Sequence, residues 1–269
     1  MEFDLSQFKL SSKDVVKGLK LPKYISPDLA YIVGVLAGDG NIFVRKDKKD
    51  YRVKCVGNPK DEICFYKEIL APLFNKIFNI KLDLKYQDSN TTYGFYIYSK
   101  SLVQFFNKIF ELPIGKKYDK LKIPALIKGN NLTVDFIRGL ADTDFCVTFK
   151  GNRKFPSIVG SSKSKSFFKE ISKELKKIGL TFYEVYDYRL NDPRFKKGYS
   201  IINKIELSGE KNFNLWMEKI GFFSPKHLKK ISKIAGGGVS EEHNGVRHLN
   251  HRLPLRYSSS EGYEPSGHS

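Results

Sequence analysis

The chain repeats itself. Ala30-Tyr31-Ile32-Val33-Gly34-Val35-Leu36-Ala37-Gly38-Asp39-Gly40 aligns with Asp135-Phe136-Ile137-Arg138-Gly139-Leu140-Ala141-Asp142-Thr143-Asp144-Phe145 at a spacing of 105 residues. Phe65-Tyr66-Lys67-Glu68-Ile69 matches Phe167-Phe168-Lys169-Glu170-Ile171 at 102, and the stretch from Tyr93 to Phe106 resembles that from Tyr199 to a helix ending near Ile220, at about 106. Three similarities in the same order at nearly one spacing mean two copies of one structural unit. The reading divides the chain into a first half (1–110), a connector (111–132) punctuated by Pro113, Gly115, Pro124 and Gly129, and a second half (133–234). Residues 235–269 differ: they contain no lysine, hold four of the five histidines, and carry Gly236-Gly237-Gly238 and Ser258-Ser259-Ser260. That change of composition marks a flexible or foreign tail. His243, His248 and His251 have no acidic or cysteine partner to fix a geometry, which argues against a metal site there.

Each half shows the same periodicities. A small-residue helix (28–38, then 133–143) leads into a strand pair. A longer amphipathic helix follows (61–78, then 164–178), the second ended by Gly179. A second strand pair comes next, 81–87 with 93–99 and 180–188 with 199–207, and a helix closes each half. The fold class is therefore α+β. Alternation in the strands points Ile42, Val44, Val147 and Phe149 inward, and Asn41, Phe43, Arg45, Cys146, Thr148 and Lys150 outward. In Tyr51-Arg52-Val53-Lys54-Cys55 the cations again take one face and the apolar residues the other.

Charge narrows the partner. Lys and Arg number 47 against 29 Asp and Glu, a net +18 with a pI near 9.6, so a polyanion is expected, most simply nucleic acid. With 41% hydrophobic residues the chain can build a core, which excludes disorder throughout. No apolar run has membrane-spanning length and no signal sequence opens the chain, so no membrane partner is expected. Cys55, Cys64 and Cys146 are far apart and form no CxxC pair, against a zinc ribbon or a disulfide framework. Three thiols fit a reducing compartment, and the expected location is intracellular, with the host genome.

The repeated helix carries the chemistry. Gly34, Gly38 and Gly139, with Ala141 and Thr143, are small residues on short apolar helices, although a helical glycine costs about 1 kcal/mol relative to alanine. Close backbone approach of two helices accounts for them. Each copy then offers a carboxylate at its C-terminal end, Asp39 and Asp144. Side by side, two carboxylates at the negative ends of helix dipoles repel unless divalent cations lie between them. Hard cations prefer oxygen ligands, and such a pair suits two-metal phosphodiester hydrolysis.

Gly34-Val35-Leu36-Ala37-Gly38-Asp39-Gly40 and Gly139-Leu140-Ala141-Asp142-Thr143-Asp144 resemble the two signature motifs of the LAGLIDADG homing endonucleases, in particular the monomeric intron-encoded type, over residues 25–233. The resemblance implies two pseudo-symmetric αββαββα halves, each with a saddle-shaped antiparallel sheet over DNA, joined through the motif helices. It implies Mg²⁺-dependent double-strand cleavage across the minor groove of a long site by a monomer, with Asp39 and Asp144 as metal ligands and catalytic acids. Asp142 takes the less critical acidic position, and Phe145 departs from the small residue usual after the acid. A basic residue near each scissile phosphate is matched to Lys60 and Lys163, with Lys100 and Lys204 as weaker candidates. DNA contact is expected from Asn41, Phe43, Arg45, Arg52, Lys54, Lys81, Lys85, Thr148, Lys150, Arg189 and Arg194. Phosphates are expected to be held by Lys46, Lys48, Lys49, Lys196 and Lys197. Met1 and the lack of splice-junction residues favour a free-standing intron-encoded protein. The alternative on the same fold is a maturase that binds its own intron RNA.

Overall fold

Two four-stranded antiparallel sheets, one in each half, have matching strand orders. In the computed structural model, which describes residues 2–150, 155–193 and 195–235, the first sheet runs β1-β2-β4-β3 and the second β5-β6-β8-β7. The first comprises β1 (Gly40–Arg45), β2 (Asp50–Gly57), β3 (Lys85–Gln87) and β4 (Thr92–Tyr98). The second comprises β5 (Phe145–Lys150), β6 (Phe155–Ser162), β7 (Tyr183–Asn191) and β8 (Tyr199–Ser208). The copies match to the residue where they begin: Phe43 pairs with Arg52 in one, and Thr148 with Ser157 in the other. This is the pseudo-symmetric α+β architecture that the repeat implies. Arg194 and residues 236–269, with the tail histidines, lie outside the described residues.

Helices α2 (Pro27–Gly38) and α6 (Thr133–Asp144) pack along their whole length between the sheets. Ser26 caps α2 by accepting from the Leu29 amide at 3.2 Å, and Pro27 suits its first turn. The glycines let the backbones touch. A Cβ on Gly34 would lie 2.0 Å from the Phe136 carbonyl oxygen, and one on Gly139 would lie 2.1 Å from that of Tyr31. Against the sheets pack α4 (Lys100–Ile109), α7 (Lys165–Lys177) and α8 (Glu210–Lys219), which place Phe105, Phe106, Phe168 and Trp216 in the core.

Local departures have local causes. The helix expected from residue 61 starts later and begins with π-type turns (Phe65–Leu70) before α3 (Ala71–Phe78), because Asn58–Glu62 form a turn in which Glu62 accepts the Asn58 amide at 2.7 Å. The strand expected over 81–87 shrinks to Lys85–Gln87, since Leu82 turns into the core. An N-terminal arm, bearing α1 (Ser12–Val16), packs Phe3 and Phe8 edge-on against Phe105 at 5.8 and 5.9 Å. Phe145 is buried, and Gly160 on the neighbouring strand makes room for it: a Cβ there would lie 2.4 Å from its ring. The bulky residue after Asp144 therefore turns into the core.

Candidate functional site

Asp39 ends α2 as its C-cap, and Asp144 is the last residue of α6, so both carboxylates emerge where the abutting helices stop. Both are half-buried. Burial first, then Glu62, pushes the Asp39 carboxyl above the ordinary carboxylate range; burial first, then Asp39 itself, does the same to Asp144. Lys117 and Lys226 oppose both shifts. Two acids and two lysines thus share one electrostatic neighbourhood. A cleft of about 460 Å³ opens beside them, lined by Gly38, Asn41, Lys116, Lys117, Asp144 and Ser161 to Ser164 among others.

The two lysines come from segments that the motifs do not include. After α4 the connector returns beside β1, where Ile114 bridges Ile42 in parallel and the Gly115 amide donates to the Ile42 carbonyl at 2.7 Å. Gly115, at φ +79°, makes the turn that delivers Lys117 under the end of α2. There Nζ donates to the carbonyls of Ala37, at 2.9 Å, and Gly38, a cation on the helix's negative end. Lys226 lies in the first turn of α9 (Pro225–Ala235), just after the closing helix of the second half, and its Nζ donates to Glu62 of the first half. Of the lysines expected here from sequence, Lys163 lines the cleft with Asp144 but is exposed, its Nζ 5.6 Å from the Phe195 ring. Lys60 is exposed outside that lining, its amide taken by Asn58 Oδ1 at 3.0 Å. Lys100 lies 5.7 Å from the Tyr51 ring, and Lys204 is paired with Glu206 at 2.7 Å. The signal that could have found Lys117 and Lys226 is their shared position, each in the chain that follows a closing helix.

Asp142 works within the fold. It is buried, and accepts the Tyr31 hydroxyl and the amides of Phe223 and Ser224, tying α6 to α2 and to the start of α9. His227, one turn on, is fully buried with its ring 4.5 Å from that of Phe222. Neither ring nitrogen has a partner of hydrogen-bond geometry among the described residues, although the backbones of Asp142 and Ala141 are near. Burial first, then Lys226 and Lys230, holds its pKa down to about 3 from the usual 6.5. A depressed pKa on a base means that the unfolded chain binds the proton the folded chain refuses. The stability from neutral His227 is therefore complete above pH 6.5 and is lost as pH falls from 6.5 toward 3, with a slope approaching ~1.4 kcal/mol per pH unit. Melting followed between pH 7 and 4.5 should show a shallower loss in His227→Phe than in wild type; equal slopes would exclude this role.

The outer faces of the sheets supply the surface for a polyanion. Cross-strand register puts Asn41, Phe43, Arg45, Arg52, Lys54, Tyr96, Tyr98 and Lys85 on one face of the first sheet. Thr148, Lys150, Val159, Lys204 and Glu206 share the outer face of the second, where Glu206 pairs with both lysines. Lys46, Lys48, Lys49, Lys196 and Lys197 are exposed on the hairpin loops. Tyr96 and Tyr98 join this surface although the sequence reading passed over them. Two expected cations fall elsewhere. Lys81 precedes β3 and lines a hollow with Lys67 on the helix side. Arg189 pairs with Ile201, on the same side as buried Ile205, and stacks 4.0 Å from the Tyr199 ring. A bulge between Val185 and Tyr188 reverses the alternation and turns Arg189 off the outer face.

No protein-family model and no curated protein matches the sequence. Solved structures do match. The homing endonuclease I-WcaI, bound to its DNA recognition sequence, aligns over 86% of this chain and 98% of its own, at 15% identity and a TM-score of 0.52. I-DmoI in complex with DNA and Ca aligns over 77% of this chain and 97% of its own, at 16% identity and a TM-score of 0.50.

Proposed function

We propose that this chain, which has the fold of the LAGLIDADG homing endonucleases, is a monomeric, site-specific endonuclease that makes a double-strand break in duplex DNA inside its host cell. The observation that carries this reading is the convergence of Asp39 and Asp144 at the ends of two abutting helices, within reach of the charges of Lys117 and Lys226. The donor set suits a hard divalent cation, Mg²⁺ being the expected one, because both side chains offer carboxylate oxygens and each is electrostatically unfavourable beside the other. Among the described residues no group of three His, Cys, Asp or Glu side chains is placed to hold a metal ion by itself, so phosphate oxygens and water would complete any coordination shell. Such a cation supplies Lewis acidity at the phosphate and lowers the pKa of a water. The chain's own residues do the rest. Asp39 and Asp144 set the spacing, and Lys117 and Lys226 offset the negative charge that grows on the phosphate as it is attacked. DNA in both structural neighbours, and Ca in the I-DmoI complex, agree with this reading.

The test is linearisation of a plasmid carrying the uninterrupted insertion sequence of the gene's own locus, on addition of Mg²⁺. Binding of that duplex should also weaken steeply with salt, with log K falling against log salt more steeply than about −5, since the slope is near −0.9 per phosphate neutralised. A shallow slope, or tighter binding of structured intron RNA than of the duplex, would replace the endonuclease with the maturase. A stable dimer in solution would remove the monomer.

A further inference from the structure

Arg52 lies in the middle of the outer face of the first sheet, opposite Phe43 on β1 and Tyr98 on β4. Its guanidinium carbon is 4.4 Å from the Phe43 ring centroid, 5.8 Å from that of Tyr98 and 6.0 Å from that of Tyr96. Its Nε faces Asp50 Oδ1 at 3.0 Å, and its Nη groups have no partner among the described residues. The group is thus held twice, over the Phe43 ring and by the charge of the Asp50 carboxylate.

A guanidinium held in this way is a poor phosphate clamp. A phosphate drawn to it would meet the Asp50 carboxylate as well, and the repulsion offsets much of the attraction. A base edge has no net charge and meets no such opposition. The two uncommitted Nη groups are donors in a planar fork, which is the complement of O6 and N7 of guanine in the major groove. The corresponding position of the second sheet holds Ser157, paired with Thr148 and buried, with its hydroxyl on the Leu207 carbonyl at 2.9 Å. Among the described residues, that position therefore offers no counterpart to the fork.

We propose that Arg52 reads one guanine in the half-site under the first sheet, with Asp50 and Phe43 as positioning residues, and that Ser157, at the matching place in the second sheet, makes no such contact. The inference rests on the DNA-binding reading above. It is tested by incubating the full chain with a pool of randomised duplexes in Ca²⁺, recovering the bound fraction and sequencing it. Wild type should show a position with a guanine preference of about fivefold or more. Arg52→Ala should erase the preference there and leave other positions unchanged. Arg52→Lys keeps the charge without the fork and should also blunt it, separating geometry from charge. Asp50→Ala should weaken the same single position, whereas a merely structural Asp50 would weaken every position alike. An enriched pool whose pattern is identical in wild type and Arg52→Ala would overturn the proposal. No enrichment of any duplex by wild type would overturn the DNA-binding reading itself.

Discussion

Replacing Asp39 and Asp144 together by asparagine should reduce cleavage of the target duplex on the order of a thousandfold or more, while affinity for that duplex holds or improves. The amide keeps the shape of the carboxylate but binds a hard cation weakly and cannot help to ionise a water. Removing two negative charges from beside a phosphodiester relieves repulsion, so binding measured in Ca²⁺ or without metal gains rather than loses. Each acid lies in the field of the other and of the same two lysines. Either single substitution should therefore slow both strand cuts instead of yielding a fast, clean nickase. Plasmid linearisation in Mg²⁺, paired with gel-shift affinity in Ca²⁺, reads the two effects separately. Near-wild-type linearisation by the double variant would remove the acids from the mechanism.

The second large effect is on folding. Gly139→Ala should destabilise the protein by ~3 kcal/mol, because the new methyl group would lie 2.1 Å from the Tyr31 carbonyl oxygen. The obstacle is the backbone of the opposite helix, which cannot swing aside as a side chain can. For a chain of this size the expected drop in melting temperature is about 6–12 °C. Gly34→Ala meets the Phe136 carbonyl at 2.0 Å and should behave alike. The double variant should cost less than the two singles added, since one separation of the helices relieves both clashes. Gly129→Ala is the control: this glycine ends the short helix α5 (Ala125–Gly129) with no atom within 4 Å of its Cβ position, and alanine there should be neutral or stabilising by up to ~1 kcal/mol. A Gly139→Ala protein that melts with wild type would contradict the helix seating.

The motif helices, both sheets and the acids were legible in the sequence because each is written twice. Duplication exposes Gly34 with Gly139 and Asp39 with Asp144, and strand alternation correctly turns Phe43, Arg52 and Lys54 outward. What the sequence concealed depends on path rather than pattern. Lys117 reaches the site only because the connector pairs with β1, and Lys226 only because Asp142 holds the segment ahead of α9. Of the lysines expected at the strand-to-helix turns, Lys60 faces solvent outside the cleft, while Lys163, also exposed, lines it with Asp144. Arg189 was misdirected by one inserted residue, as a bulge has no periodicity of its own and reverses every side chain beyond it. Tyr96 and Tyr98 were passed over because aromatic residues in a strand read first as core.

The glycine seating makes the two motif helices act as a caliper. At Gly34 and Gly139 main chain meets main chain, so there is little there to compress, slide or repack, and the separation of the two helices is held close to a fixed value. Residues on the sheet faces can be exchanged to suit new sequences without moving the carboxylates. For the endonuclease proposed above, the stagger between two cuts made from those ends would then be a constant of the scaffold, unchanged by substitutions on the sheet faces.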